Sequence, residues 1–276
     1  MTVTGEPPTA TPDAPDAPGR PRRRGPWLGL AALTALCVAV PTALEVAGVQ
    51  LQHTAETSEE LPQHPIRKVE VDATSASVTV QAGTSEVTRL SQSLHWVMAK
   101  PRVRTEWNGD TLKLKVSCGD GGLGTFNLCD ADVTLSVPRG VAVRGRMTSG
   151  TLSVRGTNGG ADLQNNSGTL ELADVSGPLR AWVSSGSVRG ERLSADTVDT
   201  ASGSGSIELA FAVAPTRVVA RTGSGSVEIG VPRGSHYAVS GSTNSGSRDI
   251  AQGISDGTSA NRLDLSSGSG AVSVHY

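Results

Sequence analysis

Seven copies of one short phrase set the tightest limit on what this chain can fold into. Each begins with a Gly and a Ser or Thr, once an Ala, and most continue with an apolar, a polar and an apolar residue, as in Gly150-Thr151-Leu152-Ser153-Val154 and Gly168-Thr169-Leu170-Glu171-Leu172. The later copies start at Gly186, Gly205, Gly225, Gly246 and Gly270, giving intervals of 18, 18, 19, 20, 21 and 24 residues. Alternation with a period of two is the mark of a strand with one buried side. A repeat near 20 residues is the length of one coil in a stacked β architecture.

These two periods predict an all-β chain whose residues 149–276 wind as a parallel β-solenoid. The Gly supplies a corner where the backbone takes positive φ or leaves no room for a Cβ. The Ser or Thr beside it can satisfy exposed corner peptides. Val, Leu and Ile at the alternating positions fill the interior: Leu152, Val154 and Leu163, then Leu170, Leu172, Val175, Leu179 and Val183, then Val188, Leu193 and Val198, then Ile207, Leu209 and Val213, then Val227, Ile229 and Val239. An antiparallel β-sandwich and a flexible Ser/Gly linker are the rival readings. The fixed corner phrase and the in-phase apolar doublets favour the solenoid. Aromatic residues make up 3% of the 276, which suits a narrow aliphatic interior. With a net charge of −2 and no basic stripe interleaved with aromatics, nucleic acid is excluded as a partner. The excess of Arg over Lys, with abundant Ala, Gly and Pro, hints at a GC-rich bacterial genome.

The other segments divide by composition. Residues 1–26 are rich in Pro, Thr, Ala and Asp and end in Arg20-Pro21-Arg22-Arg23-Arg24, which predicts a disordered cytoplasmic tail. Residues 27–49 are apolar or small except for Thr34, Thr42 and Glu45, close to the ~20 needed to cross a bilayer. The Arg cluster before that stretch predicts a single-pass span in the cell membrane, with the N-terminus cytoplasmic and the C-terminal domain extracellular; a cleaved signal peptide is the alternative. Cys37 reads as a small residue inside the span. Residues 50–65 read as a spacer. From 66 to 148 strict alternation returns, in Val69/Val71, Val78/Val80, Leu112/Leu114/Val116, Val133/Leu135/Val137 and Val141/Val143, with Asn108-Gly109 as a hairpin turn. Residues 91–98 fit neither period.

On the alternating strands, the serial Ser-Gly-[Ser/Thr] corners and the segment Val137-Pro138-Arg139-Gly140, which recurs as Val231-Pro232-Arg233-Gly234, the chain resembles the bacterial putative-adhesin family of β-strand repeats, a domain family of unknown function related to the autotransporter-adhesin-head type. The resemblance covers about residues 66–276. It implies a β-helix-like domain, frequently tethered to a membrane and sometimes associated with envelope stress, and it carries over no catalytic residues. The sixth copy departs from the pattern, because Arg248 and Asp249 replace the apolar entry, so that coil is expected to bulge or break register.

Chemistry-bearing residues are few. Cys118 and Cys129 enclose a Gly-rich loop and read as a structural disulfide. A lone C-x10-C does not make a zinc site. Asp120, Asp130 and Asp132 near Gly121-Gly122-Leu123-Gly124 suggest weak calcium binding as a minor alternative, although Phe126 stands where a calcium repeat needs Asp. No cofactor and no metal are expected. The five His, at 53, 64, 95, 236 and 275, are scattered, and the many Ser are explained by corners, so no catalytic triad is expected. Trp96, Trp107 and Trp182 are expected to be buried at domain junctions, with a carbohydrate or lipid platform as the alternative. A carbohydrate-active enzyme needs a close carboxylate pair, and Asp196 with Asp199, or Glu171 with Glu208 and Glu228, fit that only loosely. The last residues, Val272-Ser273-Val274-His275-Tyr276, predict an open strand edge able to self-associate.

The resulting expectation is a membrane-anchored, non-enzymatic binding, adhesion-like or structural module with a cell-envelope or protein partner. The alternatives are an envelope-stress sensor or effector that binds peptides or cell-wall material and, as the enzyme reading, a carbohydrate-active β-helix.

Overall fold

The computed structural model describes residues 33–35, 39, 53–62, 64–97, 99–118 and 129–276. The chain divides into two units, residues 1–50 and 51–276. In the first, the described residues are Leu33, Thr34, Ala35 and Ala39, all helical. No helix among the described residues is long and apolar enough to cross a membrane. The expected single-pass span over 27–49, with a cytoplasmic N-terminus and an extracellular domain, is corrected accordingly. A span needs about 20 continuous helical residues, far more than the helix described here, and the rest of 27–49 lies outside the described residues, as do 1–26.

The second unit is all-β. In chain order its strands are β1 (His53–Glu60), β2 (Lys68–Ala82), β3 (Arg89–Trp96), β4 (Arg102–Asn108), β5 (Thr111–Ser117), β6 (Cys129–Val137), β7 (Ala142–Arg155), β8 (Ala161–Ala173) and β9 (Leu179–Leu193). They continue as β10 (Thr197–Ser204), β11 (Ile207–Phe211), β12 (Arg217–Ser224), β13 (Val227–Gly230), β14 (Ala238–Ser240), β15 (Thr243–Ser245), β16 (Arg248–Ile250), β17 (Arg262–Ser269) and β18 (Val272–His275). All join one mixed sheet, which is not a closed barrel. Of the stretch 91–98, unreadable by period, residues 91–96 belong to β3, whose pairing partners on both sides hold it extended.

In the long strands β2 and β9 the halves on either side of the corner, at Ala76 and Gly186, have different neighbours on one edge. In β2, residues from Lys68 to Ala73 pair with β5, whereas those from Ser77 to Ala82 pair with β6. In β9, residues from Leu179 to Ser185 pair with β10, and those from Val188 onward pair with β11. Two ladders result. The first runs β4, β5, β2, β7, β8, β9, β10, β12, β17 and then β14 with β15. The second runs β1, β3, β6, β2, β7, β8, β9, β11, β13, β18 and β16. Every pairing from β2 onward along either ladder is parallel. The antiparallel pairs, β1 with β3, β3 with β6 and β4 with β5, lie at the N-terminal end. Gly109, at φ +62°, turns the β4–β5 hairpin.

The order at the other end departs from the sequence. β17 lies between β12 and β14–β15, and β18 lies between β13 and β16. The corner glycines therefore follow one another as 150, 168, 186, 205, 225, 270 and 246. The open edge expected at residues 272–276 is corrected: β18 is paired along both edges. Burial gives the reason. Leu263, Leu265, Val272 and Val274 of the last repeat are all buried and need cover on both sides. The repeat around Arg248 and Asp249 offers three-residue strands with exposed positions, and a polar repeat is what an end position requires.

Inside, the alternating Val, Leu and Ile form one buried cluster running from Leu61 to Val274. Val213 is an exception to the expected interior. It is 54% exposed, because β11 ends at the buried Phe211 and Val213 lies in the bend beyond it, where no neighbouring strand fixes its side. Tyr237 is the largest fully buried side chain, and burial pushes its phenol above the ordinary value of 10.0. The unfolded chain would lose that proton first, so the stability linked to Tyr237 is present below about pH 10 and is lost as pH rises through the raised value. Urea midpoints measured on the alkaline side should fall with pH, and fall less in Y237F.

One polar row crosses the core. Three residues before the corner Gly, Asn165, Ser202, Thr222 and Ser267 are buried, and each donates to the carbonyl of the preceding corner in space: Gly150 at 3.0 Å, Gly186 at 3.0 Å, Gly205 at 2.9 Å and Gly225 at 2.9 Å. Val183 occupies the same row, in register with Asn165 and Ser202, and has no hydrogen to give. The near-isosteric V183T should supply that bond to the Gly168 carbonyl and raise stability by about 1 kcal/mol. The check is an equilibrium urea titration.

Candidate functional site

Side chains at the polar positions of the strands point away from the core, and parallel register sets equivalent ones beside each other at the strand spacing of about 4.8 Å. On the first ladder one such row reads Glu70, Arg144, Asp162, Arg180, Asp199, Val219 and Asp264. Signs alternate through most of it, and Arg144 pairs with Asp162 at 3.4 Å. A hydrogen bond from Lys68 holds the Glu70 carboxyl below its usual range, with Nζ 2.6 Å from Oε1. Such exposed pairs contribute about 0–1 kcal/mol each; they mainly keep the face soluble.

The next row on that face reads Asp72, Arg146, Gln164, Trp182, Ala201, Arg221 and Ser266. Here the expectation for Trp182 fails. Its side chain is not at a junction but in mid-ladder, and it is 47% exposed, because its strand position has outward parity between buried Ala181 and Val183. A shallow hollow of about 390 Å³ lies beside it, with Arg146, Gln164, Asn166, Ser184 and Ala201 in its lining. Trp96 and Trp107 do pack against the core, Trp96 stacked with His53 at 5.7 Å and Trp107 edge-on to His64 at 5.0 Å.

On the second ladder the corresponding row reads Thr79, Ser153, Glu171, Arg189, Glu208, Glu228, Ser273 and Asp249. Arg189 fills the gap between Glu171 and Glu208. Two of the carboxylates stand beside cations, Glu171 with Arg155 at 3.4 Å and Glu208 with Arg189 at 3.7 Å, and Glu228 stands 3.7 Å from the His275 ring. Glu208 and Glu228 face each other in register on this open strand face. Asp196 precedes β10, and Asp199 lies on it opposite Arg180.

Cys118 and Cys129 are joined in a disulfide with Cα atoms 5.9 Å apart. Its place in the ladders is informative. β5 and β6 are the two halves of one layer beneath β2, so the bridge sits at that layer's corner, two layers from Gly150, with Ala76 at the corner of β2 between them. Residues 119–128, including Asp120 and the Gly-rich stretch weighed for calcium, lie outside the described residues. Among the described residues no group of three or more His, Cys, Asp or Glu could hold a metal ion. Closing a loop of this length stabilises by about 3 kcal/mol in the chain-entropy model. The double variant C118S/C129S should lose that amount in a urea titration, with the ladder beyond β7 still folded.

The corner glycines at 150, 168, 186, 205, 225, 246 and 270 have φ between +101° and +153°. A Cβ built on any of them would lie 2.6–3.0 Å from the carbonyl carbon of the neighbouring corner. They are backbone devices, one carbonyl resting on the next glycine. The buried Asn/Ser/Thr row escaped the sequence reading, although its signal was there: a polar residue of inward parity three places before the Gly.

No family model matches the chain. No curated protein matches it. Among solved structures it is similar to a putative adhesin from Parabacteroides distasonis, at 12% identity and a TM-score of 0.44 over 79% of this chain and 97% of that one. It is also similar to a putative adhesin from Parabacteroides merdae, at 13% identity and a TM-score of 0.39 over 79% of this chain and 95% of that one. A putative lipid binding protein from Parabacteroides distasonis gives 13% identity and a TM-score of 0.37 over 83% of this chain and 97% of that one. Likenesses this distant carry no chemistry to this chain, whose site rests on its own residues.

Proposed function

We propose that residues 66–276 wind as a parallel β-solenoid and act as a non-enzymatic, adhesion-like module that binds cell-wall material along its outer faces. Residues 66–148 form its N-terminal end and 149–276 its repeats. The observation that carries the reading is the register. Outward positions stand in register layer after layer on both ladders, and a straight, evenly spaced face of this kind suits an extended partner. The carboxylates argue against the carbohydrate-active reading, since Glu171 and Glu208 are paired with Arg155 and Arg189 and Glu228 lies against the His275 ring, all on an open face, whereas glycoside hydrolysis needs an acid and a base set across one bound sugar.

The test is co-sedimentation of the full chain with insoluble peptidoglycan sacculi, together with small-angle scattering. The expected result is saturable pelleting, no soluble sugar or peptide released, and the scattering of an elongated particle. Absence of pelleting, or release of fragments that E208Q abolishes, overturns the binding reading. A compact, near-spherical profile overturns the solenoid.

A further inference from the structure

The first ladder carries an exposed indole with uncommitted polar groups around it. Trp182 stands in register with Gln164 on one side and Ala201 on the other, and Asn166, Ser184 and Arg146 complete the hollow beside it. Most outward charges nearby are occupied: Arg144 with Asp162 and Arg221 with Asp264, the latter at 2.6 Å. Among the described residues, the side chains of Arg146, Gln164 and Asn166 form no hydrogen bond or ion pair with the rest of the chain.

We infer that Trp182, Gln164, Asn166 and Arg146 form a binding site for a neutral N-acetylated glycan. The inference rests on the cell-wall reading and names the site and sugar class within it. A pyranose ring has one face of C–H groups and an equatorial belt of hydroxyls. The indole offers a flat apolar surface to the first. Gln164 and Asn166 each present a donor and an acceptor, which matches hydroxyls that are both. Arg146 only donates, and so fits a carbonyl oxygen such as that of an acetamido group. Asp72 lies opposite Arg146 in the neighbouring strand, and the row beside Trp182 places Arg180 between Asp162 and Asp199. This balance favours a neutral sugar over an anionic one.

Ala201 leaves the indole room on its other flank. A lipid surface fits less well, because Trp182 is the one large exposed apolar side chain on this ladder among the described residues; the others are Leu33, Val213 and Tyr276. Membrane docking draws on several apolar groups backed by basic residues.

The experiment is saturation-transfer NMR and tryptophan fluorescence on the full chain with chitotetraose. The expected Kd is about 1 mM. W182A should weaken binding at least tenfold, Q164A/N166A severalfold, and W182F least of the three. All variants should keep the wild-type urea midpoint, since the groups removed are surface groups. No transfer to chitotetraose at about 10 mM, tenfold above the expected Kd, overturns the site. So does equal binding by W182A. If W182A instead loses affinity only for phosphatidylglycerol vesicles, or changes only the sedimentation coefficient, the indole serves a lipid or a second copy and the inference falls. Sacculi binding that persists in W182A removes this inference and leaves the broader reading standing. Failure of the wild type to pellet with sacculi removes the broader reading alone.

Discussion

Replacing Gly186 with alanine is expected to remove most of the stability of the repeat region. Gly186 has φ +138°, and a Cβ there would lie 2.8 Å from the carbonyl carbon of Gly168 and nearer still to its oxygen. Both partners are backbone, held by the ladder on either side, so neither can turn away as a side-chain tip would. The cost combines left-handed strain, about 1–2 kcal/mol, with a backbone clash relieved only by parting two strands. A total of at least about 4 kcal/mol follows, in the range reserved for severe core disruption. For a domain with 5–15 kcal/mol in hand, that is a large share. Two controls separate the causes. Gly234 has φ +80° with open space around its Cβ position, so G234A should cost about 1–2 kcal/mol from strain alone. Gly257 has neither strain nor neighbours, and G257A should stay within about 0.5 kcal/mol of wild type. The measurement is the urea midpoint by circular dichroism; a G186A loss no larger than that of G234A would sink the clash argument.

Truncation after Asn261 should have the second large effect, and at a distance from the cut. β14, β15 and β16 take their strand pairing from β17 and β18. Removing residues 262–276 therefore strips residues 238–250 of their ladder bonds. It also uncovers the edges of β12 and β13, which invites aggregation. Native-state hydrogen exchange should show protection across 238–250 lost entirely, with β7 to β9 unaffected. Trypsin should cut at Arg233 and Arg248. Retained protection in 238–250 would mean that the penultimate repeat does not depend on the last. Cross-linking tests the order independently. Glu228 lies opposite Ser273, and Ser273 opposite Asp249, so E228C/S273C should form a disulfide under mild oxidation. E228C/D249C spans two strand spacings, about 10 Å, beyond disulfide reach.

Much of this protein is legible residue by residue. The doublets Leu152/Val154, Leu170/Leu172, Ile207/Leu209 and Val227/Ile229 are all buried, because a period of two on a sheet with one packed face leaves no choice of side. Val213 misleads for a complementary reason: it keeps the inward parity of Ile207, Leu209 and Phe211, but the strand ends at Phe211, and beyond a strand's end parity no longer sets the side. Trp182 misleads differently. Its type suggests burial, whereas its parity, between inward Ala181 and Val183, already placed it outside. Polar residues near the corners were expected to satisfy exposed corner peptides; Asn165, Ser202, Thr222 and Ser267 do so from buried positions, donating to the corner carbonyls.

What the sequence determined by itself is the local code: strands from alternation, corners from glycine, and a disulfide pair from two cysteines enclosing a Gly-rich loop. These are decided by each residue's own backbone and by neighbours a few places away. The order of the last two repeats, the burial of the C-terminal strand and the exposure of Trp182 beside Gln164 and Arg146 were decided by tertiary structure. The physical reason is that pairing partners are chosen by burial across the ladder. The repeat with Leu263, Leu265, Val272 and Val274 takes the covered place, the one with Arg248 and Asp249 takes the end, and the chain's own order yields to that preference.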